Sequence, residues 1–218
     1  CCQSSKRVVF RRKSAKSCVC PGYLFAALNG TNTRGVNYIP EALRLGAIAI
    51  LAQPGTYIKE ATLQETHLIT DDNPSRRFAK MAARFFGTQP NIVSAITGTN
   101  GKTSTVSFLR EIWRSHDYNS ASLGSLGVEY SSSIDSLNGM TTPDPEVLHR
   151  TLSMLERSGV THCAIEASSH GLDQYRLDGV KISSGAFLNI SHDHLDYHKD
   201  WTGPCRTHRL LHRCSPCC

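Results

Sequence analysis

The stretch that most constrains this chain is residues 92–108, IVSAITGTNGKTSTVSF. An apolar run of Ile92, Val93, Ala95 and Ile96 gives way to Thr97-Gly98-Thr99-Asn100-Gly101, and then to Lys102-Thr103-Ser104. A buried strand, a glycine loop and a helix start, in that order, form the frame of a phosphate-binding loop. Glycines let backbone N–H groups crowd around phosphate oxygens, the helix N-terminus adds partial positive charge, and a lysine reaches the terminal phosphates. The hydroxyl directly after the lysine, here Thr103, is where such loops hold Mg²⁺. The general pattern G-x-x-x-x-G-K-[ST] is not met in full, because its first glycine falls at Ile96. A loop carrying Gly-Lys by chance is the bland alternative; the strand before it and the helix after it favour nucleotide binding.

The flanking segments alternate between strand and helix. Pro40 to Leu45 reads as a short helix that Gly46 terminates, and Ala47 to Ala52 as a buried strand. Leu68 to Thr70 reads as another short strand. Asp71-Asp72-Asn73-Pro74 breaks the chain and caps a helix over SRRFAKMAARFF, with Phe78, Met81, Ala82 and Phe85 at core-facing spacing. Gly87 to Pro90 reads as a linker, so a domain boundary is expected there. Beyond the loop, the helix is expected to run to about Ser115. A Gly/Ser-rich piece, ASLGSLGVEYSSS, and the turn TTPDP then lead to PEVLHRTLSMLERSG, a helix capped by Asp144 and ended by Gly159. VTHCAIEAS reads as a buried strand ending in Glu166, and GAFLNIS as another ending near His192. This alternation predicts an α/β fold with a parallel sheet and right-handed crossovers. The expected layout is a small α/β domain over residues 21–88, part of a P-loop-type domain over 89–200, and atypical ends at 1–20 and 201–218.

Charge and cysteine set the ends apart. Of 218 residues, 1–20 carry six basic groups and 201–218 three arginines, with no acid in either; residues 21–200 hold 15 basic against 18 acidic residues, net −3. The overall +6 therefore comes from the flanks rather than a folded basic face, which argues against nucleic acid as a partner. Eight of the nine cysteines are also terminal, and Cys163 alone lies mid-chain in an apolar setting, as a small core residue would. That is not a disulfide framework, so a cytoplasmic setting is expected. No apolar run approaches the roughly 20 residues of a membrane span.

Three strand ends carry unusual polar residues: Thr97 to Thr103, Glu166 to His170, and Asn189 to His198. In open α/β sheets, ligands sit beyond the carboxyl ends of the strands. Glu166, a carboxylate at such an end beside a phosphate loop, is placed to hold Mg²⁺; a helix cap or surface ion pair is the alternative. SHDHLDYHKD gathers His192, His194 and His198 with Asp193, Asp196 and Asp200. His194 and His198 would share a helix face, which suits zinc, but a Mg²⁺–nucleotide site explains the same convergence.

Taken together, TGTNGKT, TTPDP, EASSHGLDQYRLDGV and NISHDHLDYHK, in this order and spacing, resemble the Mur ligases. PGYLFAALNGTNTRGVNYIPEALRLGAIAIL is similar to the UDP-binding N-terminal domain of that family, and the resemblance spans about residues 21–200. It implies an ATP-dependent amide ligase of peptidoglycan synthesis, active as a monomer with ATP and Mg²⁺. ATP would phosphorylate the D-Glu carboxylate of UDP-MurNAc-L-Ala-D-Glu, and a third amino acid, meso-diaminopimelate or L-lysine, would attack the acyl phosphate. Carried over by motif, Gly98, Thr99, Asn100, Gly101, Lys102, Thr103 and Ser104 cradle the phosphates. Thr103 and Glu166 hold one Mg²⁺ and His194 helps hold a second, so Lys102, Glu166 and His194 are the expected catalytic residues. Asn100, Thr141, Thr142, Ser168, Gln174 and Arg176 would grip the UDP-MurNAc-dipeptide.

The sequence departs from the family at two places. Where the family has Asp-Ser-Arg-x-Val-x before Pro21-Gly22, residues 15–20 keep only Val19. After Lys199 there is no lysine, although the family uses a later one, usually carbamylated, to bridge its metals. Cys205, His208, His212, Cys214 and Cys217 could be read as zinc ligands. Their acid-free, aperiodic texture matches residues 1–20, and both ends are expected to be foreign to the ligase segment. A chain without the family's later lysine and closing domain is expected to bind rather than turn over. The rival classes are a P-loop kinase or GTPase and a non-catalytic nucleotide-binding fragment.

Overall fold

The computed structural model describes residues 21–29, 34–58, 66–130, 133–135 (backbone only) and 140–190. They fall into two compact units that divide between Phe78 and Ala79. The division lies inside a helix, earlier in the chain than the linker at Gly87–Pro90.

In the first unit, β1 (Leu24–Ala26), β2 (Ala49–Ala52) and β3 (His67–Thr70) form a parallel sheet in the order β1-β2-β3. A 3-10 turn (Gly35–Tyr38) leads into α1 (Ile39–Arg44), with Pro40 in its first turn where no N–H is needed. Gly46, at φ +88°, reverses the chain into β2. Phe25, Ile39, Ala42, Ile50 and Ala52 close the core of this layer. Helix α2 (Pro74–Phe86) begins as its sequence predicts: Asn73 Oδ1 accepts from the Arg76 N–H at 3.0 Å. Phe78, Ala79 and Ala82 are buried on it. Phe85, expected in the core, is instead 37% exposed in the last turn, edge-on to Phe86.

The second unit is built on a six-stranded sheet in the order β7-β6-β5-β8-β4-β9. Four strands are parallel: β4 (Ile92–Thr97), β5 (Ser120–Gly124), β8 (His162–Glu166) and β9 (Ser184–Phe187). The Gly/Ser-rich piece supplies all but the first residue of β5, the whole of β6 (Gly127–Tyr130) and the first residue of β7 (Ser133–Asp135). β6 and β7 run antiparallel, so the sheet is mixed rather than wholly parallel. Gly127, at φ +99°, makes the tight β5–β6 hairpin possible.

Period-2 alternation decides which residue meets which helix. Val93, Ala95, Cys163 and Ile165 point to one face, where α4 (Pro145–Arg157) adds Leu148, Leu152 and Leu155 to form the largest core. Truncating any of these buried leucines to alanine would cost about 2–5 kcal/mol. Ile96 and Ala164 point to the other face, against Val106, Leu109 and Trp113 of α3 (Lys102–Ser115). Cys163 is fully buried as expected, and burial pushes its thiol up to about 12, which makes it inert. β9 differs from expectation: all four residues are exposed, and among the described residues it pairs only with β4. No helix among the described residues is long and apolar enough to cross a membrane.

Candidate active site

Register brings the phosphate loop and Glu166 together. β4 pairs with β8 so that Ile96 stands opposite Glu166, and the Ala167 N–H donates to Ile96 C=O at 2.8 Å. Glu166 therefore ends its strand beside Thr97, where the loop departs. Alternation puts its side chain on the α3 face, with Ala164. It is only 1% exposed, which excludes a surface ion pair.

An ionised carboxylate at that depth needs donors. The Ser125 N–H donates to Glu166 Oε1 at 2.8 Å, and the Ser125 hydroxyl lies 3.4 Å from Oε2 and 3.0 Å from Thr141 Oγ1. Gly124, opposite Glu166 across the sheet, has no side chain because none fits there: a Cβ would stand 2.0 Å from Oε1.

In the loop, Gly98 (φ +142°) and Gly101 (φ +85°) hold conformations that favour glycine, and Gly101 occupies the N-cap of α3. Lys102 folds back, its ammonium donating to Gly98 C=O at 2.7 Å and Thr99 C=O at 2.9 Å. Thr103 and Ser104 lie in the first turn of α3, whose N–H groups have no partner within the helix. Asn189, which opens one of the three polar strand ends but has no individual role assigned from the sequence, makes three hydrogen bonds to Thr99 and Asn100.

The second cluster is Thr142, Ser168, Gln174 and Arg176. Thr142 is 2% exposed; its hydroxyl donates to Glu166 C=O at 2.9 Å and accepts from the Ser168 N–H at 2.9 Å. Its proton thus committed, the 3.0 Å contact to Ser168 Oγ has serine as donor. Ser168 Oγ in turn accepts from Gly171 N–H, capping α5 (Ser169–Asp173). Arg176 donates to Thr142 C=O and, at 2.9 Å, to Gln174 Oε1, while its Nε faces Asp144 Oδ1 at 3.5 Å. Asp144 does sit at the N-cap of α4, but its carboxylate makes no capping hydrogen bond there. Arg176, expected to face an anionic substrate group, here ties the TTPDP turn to α5.

His194 lies outside the described residues, as do His192, His198, the three aspartates near them and the terminal cysteines and histidines. Among the described residues no three His, Cys, Asp or Glu side chains converge as a metal cluster. A cavity of about 800 Å³, lined by Lys80, Arg84, Gln89, His149 and Lys181 among others, lies at the amino ends of β4 and β9 and shares no residue with the candidate site.

The fold and site define an α/β protein with a glycine loop, a lysine and a helix start at a strand's carboxyl end, flanked by a buried glutamate. The model of the Mur ligase middle domain matches residues 96–211, more than half of the chain. The chain belongs to the Mur ligase family. It is 48% identical over 177 residues to a UDP-N-acetylmuramoyl-L-alanyl-D-glutamate–2,6-diaminopimelate ligase of Brucella melitensis, covering 81% of this chain and 36% of that protein. A ligase of the same name from Zymomonas mobilis is 45% identical over 180 residues, with 83% and 36% covered. A solved structure of a ligase of that name superposes with a TM-score of 0.75 at 27% identity, over 88% of this chain and 38% of that one. The MurF ligase of Thermotoga maritima, solved with ADP, shares the fold at TM-score 0.55 and 20% identity, over 91% of this chain and 42% of that one. The chain thus spans about a third of the length of the curated relatives it matches.

Proposed function

We propose that this chain carries the nucleotide- and UDP-sugar-binding part of an ATP-dependent ligase that joins a diamino acid, meso-diaminopimelate rather than L-lysine, to UDP-MurNAc-L-Ala-D-Glu in the cytoplasm. The observation that carries the reading is the buried carboxylate of Glu166, paired in register with the strand that launches the phosphate loop. The relatives from Brucella melitensis and Zymomonas mobilis are 2,6-diaminopimelate ligases by name, which favours diaminopimelate.

The donor set fits a hard divalent cation: a carboxylate kept from water, with Thr103 in the first turn of the neighbouring helix. Mg²⁺ bound there would neutralise charge on the transferring phosphoryl group. Glu166 and Thr103 would hold it, with His194 toward a second ion. The N-terminal turn of α3 donates N–H groups to phosphate oxygens, and Lys102 leaves two loop carbonyls to reach them. Thr141, the Thr142–Ser168 hydroxyl pair and Arg176 orient the dipeptide so that its carboxylate meets the phosphoryl group, after which the amine attacks the acyl phosphate and phosphate leaves.

Titrating the 218-residue chain with ADP in Mg²⁺ tests the binding half, with micromolar affinity expected. Phosphate release dependent on both UDP-MurNAc-dipeptide and diaminopimelate is expected from the full-length relatives and not from these 218 residues alone. Failure to bind ADP would remove the nucleotide reading.

A further inference from the structure

Backbone bonding between the two chain segments continues past the last β4–β9 bridge. Leu188 N–H donates to Thr97 C=O at 2.9 Å, which closes the ladder, and Thr99 N–H then donates to Asn189 C=O at 3.0 Å, one residue out of ladder register and already inside the phosphate loop. The Asn189 carboxamide then grips the next peptide from both sides. Its Oδ1 accepts from Asn100 N–H at 3.0 Å, and its Nδ2 donates to Asn100 C=O at 3.1 Å. The two bonds fix the amide orientation, since a flipped side chain would set donor against donor. Gly98 allows the approach: a Cβ there would stand 3.0 Å from Asn189 O and 3.1 Å from its N.

We propose that Asn189 is a positioning residue of the phosphate loop. It holds the arm Gly98–Asn100 against the segment that leaves β9, committing the N–H groups of Thr99 and Asn100 to the protein. Phosphate oxygens are then received by the N–H groups after the Gly101 turn, at Lys102, Thr103 and Ser104. The division of labour within the motif is therefore a rigid arm followed by a donor turn. This rests on the reading of the loop as a nucleotide site.

The test combines amide hydrogen exchange with ADP binding on the full chain, comparing wild type, Asn189→Ala and Asn189→Asp. In wild type the Thr99 and Asn100 amides exchange slowly. Asn189→Ala speeds exchange at Asn100 and leaves Thr99 slow, because the Thr99 partner is a backbone carbonyl. Asn189→Asp keeps an acceptor and keeps Asn100 slow. Losing two side-chain hydrogen bonds that preorganise the loop weakens ADP binding about tenfold in the alanine variant. Slow exchange at Asn100 in Asn189→Ala, or ADP affinity within twofold of wild type, overturns the proposal. If the alanine variant does not fold, fast exchange at Asn100 in Asn189→Asp overturns it instead. A wild-type chain that binds no ADP would count against the nucleotide reading, while the exchange rates still decide whether Asn189 holds the arm.

Discussion

Gly124 faces Glu166 across the β5–β8 pair so closely that a methyl group on it would stand 2.0 Å from Oε1, 2.5 Å from Cδ and 2.6 Å from Cγ. Glu166 is 1% exposed and cannot swing into water. Gly124→Ala should therefore displace the carboxylate, at a cost of about 1–3 kcal/mol, the usual range for overpacking. Urea denaturation reads the stability loss and Mn²⁺ titration in the presence of ADP reads the displacement. A variant equal to wild type in both would show that Glu166 has another place to go.

Glu166→Gln separates a metal role from a scaffold role. Glutamine keeps an acceptor for the Ser125 N–H, and its amide can donate to the Ser125 hydroxyl that now lies 3.4 Å from Oε2. Removing a buried charge while keeping its hydrogen bonds leaves stability within about 1 kcal/mol. Mn²⁺ affinity should fall at least about tenfold, as expected when a cation loses the one buried carboxylate that the described residues offer it. A large stability loss with metal affinity unchanged would make Glu166 a structural residue.

What the sequence conveyed and what it hid divide along local and non-local lines. The loop, its helix and the strands of Ile92 and Glu166 announce themselves through apolar runs closed by glycine or a polar residue, a pattern set within a few residues. β5 to β7 do not, because ASLGSLGVEYSSS has small side chains whose strand character comes from pairing with β8 and with one another. β9 reads as buried from GAFLNI, but at its position beside β4 it is exposed. The motif names Glu166 yet not what holds it: the Ser125 N–H and the bare Gly124 act through register and backbone groups, which leave no side-chain signature.

Lys102 caps two carbonyls of its own loop, at 2.7 and 2.9 Å. Those contacts are exchangeable for phosphate oxygens, so the lysine serves the ligand more than the fold. Lys102→Ala should weaken ADP binding about tenfold to a hundredfold, the range for a charge-assisted hydrogen bond, while stability moves by less than about 1 kcal/mol. Lys102→Arg should not restore affinity, because a planar fork cannot converge on one point as an ammonium does. Isothermal titration of the three proteins decides it; an arginine variant that binds like wild type would count against the geometry.

His149, on α4, is 4% exposed, with Nε2 3.3 Å from Asp178 C=O. Burial lowers its pKa from 6.5 to about 4, against a smaller opposing effect of that backbone contact. Between those two values the unfolded chain binds a proton that the folded chain refuses, so stability rises with pH through this window. Below about 4 both forms are protonated and above about 6.5 neither is, so the contribution levels off at each end. The full change is on the order of 3 kcal/mol. Glutamine at this position keeps a donor for the Asp178 carbonyl but cannot titrate, so His149→Gln should remove this slope. Urea denaturation of both proteins at several pH values between 4 and 7, taken as a difference so that other groups cancel, isolates the histidine. Parallel pH curves for the two proteins would mean that His149 accepts its proton in the folded chain as readily as in the unfolded one.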